Sequence, residues 1–103
     1  MFYVYVLVEG KSHENYIGFS KDLKRRIVEH QQGVGAKFTK TGQWHLVYYE
    51  AFLSRNDAID REKKLKQNGN ARHQLLRRIK NSIDCVKIGA GEACDRSPGK
   101  RRP

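Results

Sequence analysis

The chain has 103 residues, 21 Lys and Arg against 11 Asp and Glu, and a formal charge of +10. That length allows one small domain. No apolar run approaches the roughly 20 residues of a membrane-spanning helix, and no secretory leader is expected. The two cysteines, Cys85 and Cys94, lack CxxC spacing and give neither a disulfide framework nor a zinc site, so the expected setting is the reducing cytoplasm. The excess of cations points to a polyanionic partner, foremost nucleic acid. The plainer alternative is a merely basic protein. Residues 86–103 hold five Lys and Arg and two Asp and Glu, so +7 of the charge belongs to the part before them.

Phe2 to Val8 is β-branched and aromatic and predicts a strand. Both of its faces are apolar, so both should be covered. Glu9 to Glu14 contains Gly10 and predicts a turn. Asn15 to Phe19 predicts a second strand, paired to the first as an antiparallel hairpin. Ser20 is the expected N-cap of a helix over 21–32, stopped by Gly33 and Gly35. Residues 36–43 read as a basic loop carrying Lys37 and Lys40, and Trp44 to Phe52 as a third strand. Ser54, with Asp57 three places later, starts a second helix in the manner of a capping box. Asn68, Gly69 and Asn70 break it, and a third helix is predicted over 71–83 with Leu75, Leu76, Ile79 and Ile83 on one face. The order β-β-α-β-α-α predicts an α+β domain over 1–84, with helices packed on a three-stranded sheet. Residues 85–103 read as a basic, disordered tail.

Two helices carry polar residues where apolar ones belong. At ~100° per residue, Arg26 falls ~60° and His30 ~20° from Leu23 on the buried side of the first helix. Lys24 and Arg25 lie further round, towards solvent. In the second helix Glu62 falls inside the stripe set by Ala58, Ile59 and Leu65. A carboxylate there is costly unless paired, wetted at the sheet edge, or bound to a cation. An ion pair with Arg26 is one such solution; a metal or catalytic site is another. Tyr5 and Tyr16 share a face of the hairpin if paired positions sum to an odd number, and such aromatic pairs are usually core. Tyr48 and Tyr49 point to opposite faces of the third strand, so at least one is structural.

Together these segments resemble the GIY-YIG nuclease domain, in particular small stand-alone bacterial proteins similar to the amino-terminal nuclease domain of the excinuclease C protein. The segments are Tyr3-Val4-Tyr5, Tyr16-Ile17-Gly18, Ser20 to His30, Leu46 to Glu50, and Asp57 to Lys66, all within residues 1–80. The resemblance implies a small three-stranded antiparallel sheet flanked by helices. It implies catalytic roles for Tyr5, Tyr16, Arg26, His30 and Glu62, with Glu62 holding one Mg²⁺ or Mn²⁺. Gly18 matches the motif glycine, where a side chain would crowd the site. Three positions depart from the pattern: Tyr3 replaces a glycine, Phe19 stands where many relatives carry lysine, and Gln74 stands at the place of a late asparagine.

The expected activity is metal-dependent hydrolysis of DNA phosphodiesters, in repair or processing, by a monomer that makes no membrane contact; RNA is not excluded as a substrate. Tyr5 and His30 are rival general bases. Lys21, Lys24, Arg25, Lys37 and Lys40 would bind the phosphate backbone, supported by Lys63, Lys64, Arg72, Arg77 and Arg78 on the later helices. The alternatives are a catalytically weak nucleic-acid-binding module and a protein-interaction adaptor that keeps the fold.

Overall fold

A computed structural model of the chain describes residues 1–33, 42–87 and 89. Lys37, Lys40 and most of the expected tail lie outside the described residues. Strands β1 (Phe2–Glu9), β2 (Asn15–Ser20) and β3 (Trp44–Phe52) form one antiparallel sheet in the order β2-β1-β3. Helix α1 (Leu23–Gln31) lies between β2 and β3 in sequence; α2 (Arg55–Gln67), α3 (Gly69–Arg78) and α4 (Lys80–Lys87) follow β3. The strands and the sheet match the expectation from the sequence.

Burial explains why β1 is apolar on both sides. Val4 and Val6 join Ile17, Ala58, Leu65, Leu75 and Ile79 in an aliphatic core under α2 and α3. Tyr5 and Leu7 face the other way and pack with Trp44, Tyr16, Leu23 and Ile27 beneath α1. The two layers stay separate along β3 because of a bulge. Tyr5 pairs with Tyr49 and Val6 with Tyr48, but Leu7 pairs with Leu46. The extra residue, Val47, packs with Tyr48 on the aliphatic side and returns Leu46 to the face of Leu7.

Helix boundaries differ from the expectation at two places. The N-cap of α1 is Asp22, whose carboxylate accepts from the Arg25 N–H at 3.2 Å. Ser20 instead accepts from the Asp22 N–H at 3.0 Å, a turn that feeds the cap. The predicted 71–83 helix is two helices, with Ile79 at the break (φ −105°, ψ 25°). Each then turns its own apolar residues, Leu75 and Val86, inward. α4 runs three residues past the expected domain end, and Cys85 on it is disulfide-bonded, against the expectation of reduced thiols. The α2 start agrees: Ser54 Oγ accepts from the Asp57 N–H at 3.3 Å.

Candidate active site

The site is built where β1, β2 and α1 meet. Tyr5 lies on the central strand opposite Gly18 of β2. A Cβ on Gly18 would overlap Tyr5 Cζ and its hydroxyl and would stand 2.9 Å from Cε1. Glycine therefore lets the Tyr5 ring lie flat across β2. Tyr16, two residues before Gly18, points to the same face, because the register pairs positions summing to an odd number. The rings of Tyr5 and Tyr16 are 6.4 Å apart.

Helix α1 closes this face with Arg26 and His30, one turn apart. His30 is 1% exposed, and its Nε2 lies 2.9 Å from the Tyr5 hydroxyl. Its ring is 5.7 Å from Tyr5 and 5.2 Å from Tyr16. Arg26 is half-buried and donates through Nη1 to Glu29 Oε1 at 2.9 Å. Arg25 is 66% exposed and pairs loosely with Asp22 and Glu29. The difference in exposure between the two arginines agrees with the helical projection.

Burial dominates the electrostatics here. It pushes the Tyr5 hydroxyl from 10.0 up to about 12, against the opposing pull of a hydrogen bond from Arg26. Burial, helped by the positive charge of Arg26, holds the His30 imidazole below its ordinary value, so it is neutral at pH 7. The Arg26 guanidinium is held more firmly cationic by Glu29.

Glu62 reaches this cluster from α2. Its side chain is 20% exposed, and its negative charge is felt at the Tyr5 hydroxyl, which it helps to raise. The expected pair with Arg26 is not the one made: Glu62 bonds Lys66 Nζ at 3.1 Å, one turn on, while Arg26 takes Glu29. Lys66 Nζ also stands 5.7 Å over the Tyr16 ring. Lys66 was not singled out from the sequence, although the i, i+4 spacing to Glu62 was its signal.

Among the described residues no cluster of three or more His, Cys, Asp or Glu exists to cage a metal. A lone carboxylate already holding an exchangeable cation suits a hard ion that keeps most of its own water, such as Mg²⁺ or Mn²⁺. It does not suit zinc.

The departures from the family pattern fall mostly outside this cluster. Phe19 points to the aliphatic face and stacks on Phe2 at 6.3 Å, with Arg55 over it. Gln74 is exposed and lines a separate recess with Arg77 and Arg78. Tyr3 meets Tyr49 edge-on at 5.8 Å beside Lys21 and Lys24, on the flank of α1. Tyr48 is structural: it donates to Glu50, which also takes a two-pronged contact from Arg61.

A three-stranded α+β domain with paired strand tyrosines and a helix arginine is the arrangement of a GIY-YIG domain. The family model of the GIY-YIG catalytic domain matches residues 1–77, and the chain belongs to that family. It is 40% identical to a UPF0213 protein of Staphylococcus saprophyticus over 62% of this chain and 78% of that one. It is 37% identical to one from Haloquadratum walsbyi over 72% and 83%. It also resembles the solution NMR structure of a UPF0213 protein from Bacillus halodurans, at 37% identity and TM-score 0.41, over 86% and 88% of the two chains. GIY-YIG domains are generally nucleases that use a divalent metal, so membership points to cleavage of a nucleic acid. No helix among the described residues is long and apolar enough to cross a membrane.

Proposed function

We propose that this chain is an endonuclease that hydrolyses DNA phosphodiesters with one divalent cation, Mg²⁺ or Mn²⁺, in repair or processing. The observation that carries the reading is the 2.9 Å contact of the Tyr5 hydroxyl with His30 Nε2, beside Arg26.

Hydrolysis needs a base for water, charge neutralisation on the phosphate and help for the leaving oxygen. Tyr5 alone is a poor base, since a hydroxyl near 12 does not ionise at pH 7. His30 is neutral and able to accept. In this reading the two act as a pair. As Tyr5 Oη takes the proton of the attacking water, the Tyr5 proton passes to His30 Nε2, so no free phenolate is required. The water oxygen bonds to phosphorus, the bond to the leaving 3′ oxygen breaks with its electron pair on that oxygen, and solvent protonates it to the hydroxyl. Arg26, steadied by Glu29, donates to the non-bridging oxygens as charge builds there. Tyr16 flanks the pair and orients water or phosphate. Glu62 would hold the cation, which when bound polarises the phosphate and stabilises the leaving oxygen. Lys21, just before α1, and Lys24 and Arg25 on its exposed side would track the backbone.

The test is cleavage of labelled single-stranded, duplex and branched DNA with Mg²⁺, Mn²⁺ or EDTA, beside Glu62→Ala. Metal-dependent cutting that the variant loses is the expected result. Binding without cutting by the wild type would overturn the enzyme reading and leave a binding module. No binding at moderate salt would leave the adaptor.

A further inference from the structure

A recess of about 290 Å³ opens at the outer edge of the sheet, lined by Asn15, Tyr16, Ile17, Lys66 and Arg72. Its donors are poorly matched to their present partners. Arg72 Nη1 donates to the carbonyls of Leu65 and Lys66 at 3.2 and 3.1 Å, which fixes the guanidinium against the end of α2. Among the described residues its Nε and Nη2 meet no acceptor, and neither does the Asn15 amide. Among the described residues Lys66 pairs with Glu62 and stands over the Tyr16 ring, and its side chain is 47% exposed. Lys66 is the more exposed partner of this i, i+4 pair, so it can change partner at little cost. Tyr16 is shared between the recess and the Tyr5–His30 cluster.

We infer that this recess is a second phosphate-binding subsite, in which Lys66 and Arg72 hold the backbone phosphate adjacent to the one that is cut. The inference rests on the nuclease reading. A strand whose scissile phosphate sits at Arg26 runs past Tyr16, and its next phosphate reaches two cations and an amide donor. Arg72 is already oriented, so it offers its remaining donors as a fixed fork. Lys66 is the mobile member. Were Glu62 to hold a divalent cation, Lys66 would be repelled from it and would favour the anion alongside; without one, Lys66 divides between the two.

The experiment measures binding in EDTA, where no cutting competes. A fluorescent oligonucleotide is titrated at several salt concentrations with wild type, Lys66→Gln and Arg72→Lys, the last keeping the charge but not the fork. Lys66→Gln should lower the salt slope by roughly 0.7–0.9 and weaken binding about threefold near physiological salt, as for one lost phosphate contact. Oligonucleotides neutralised at single phosphates by methylphosphonate then locate the contact. Wild type should be sensitive at the scissile phosphate and at one neighbour. Lys66→Gln and Arg72→Lys should lose sensitivity at the neighbour only, and Arg26→Ala at the scissile position only. Equal profiles in wild type and both recess variants would overturn the subsite and leave the nuclease reading standing. Wild-type binding that shows the Lys66 contact without metal-dependent cutting would overturn the nuclease reading alone. No binding of any oligonucleotide would overturn both.

Discussion

On one face of the sheet Val4, Val6 and Ile17 meet Ala58, Leu65, Leu75 and Ile79 in an aliphatic layer. On the other, Tyr5, Leu7 and Trp44 share their layer with a fully buried His30 and a half-buried Arg26. The first face gains stability from close packing of groups that need no partner. The second must satisfy an imidazole, a guanidinium and two phenols, and under the proposed function it is the face that carries the chemistry. A single strand supports both, because alternate residues of β1 face opposite ways. The separation implies that stability and chemistry can be changed independently.

The largest expected effect comes from the polar face. Arg26→Ala should reduce cutting by about 10²–10³-fold, the usual loss when one donor to developing charge is removed. Its melting temperature should stay within a few degrees of wild type. A parallel collapse of stability would show that the faces are not separable. Leu65→Ala is the mirror test. Leu65 is 0% exposed in the aliphatic layer, and its truncation should cost about 2–5 kcal/mol in chemical denaturation. Activity per folded molecule should be unchanged. Gly18→Ala should disturb stability and cutting together, since the new methyl overlaps the Tyr5 ring on the polar face. A loss of about 1–3 kcal/mol together with reduced cutting is expected.

Smaller effects follow from charge. The folded His30 titrates below 6.5, its ordinary value, because burial and Arg26 disfavour the cation. Its contribution to stability is therefore complete above 6.5 and is lost as pH falls below that value. A nuclear magnetic resonance titration should give a midpoint below 6.5, moving up in Arg26→Ala. An unmoved midpoint would remove Arg26 from the account. Least affected should be Arg25→Ala, with binding weakened a few-fold at low salt and cutting at saturation unchanged. Equal losses for the two arginines would contradict the projection that separates them.

The three strands and the α2 cap were legible because each rests on local signals, β-branched runs and Ser54 with Asp57. The anomaly of Glu62 was legible too, as a carboxylate on an apolar stripe. Its partner was not. Lys66 looked like one solvated lysine among several, and only the fold brings it beside Tyr16. The β3 bulge that returns Leu46 to the polar side carries no glycine or proline to announce it. The break at Ile79 was hidden for a similar reason. Leu75, Leu76, Ile79 and Ile83 keep helical spacing across it, and tertiary packing decides where the turn falls.

The position of Tyr5 also has a dynamic side. Among the described strands it sits on the one paired along both edges, whereas Tyr16 sits on a rim strand and Lys66 on an exposed helix face. Tyr5 should thus belong to the last unit to open, with its backbone amide among the slowest to exchange with deuterated solvent. The rim amides should exchange first. Under the proposed function, Tyr5 would then be the fixed reference of the molecule, and substrate would be accommodated by adjustments at the rim around it.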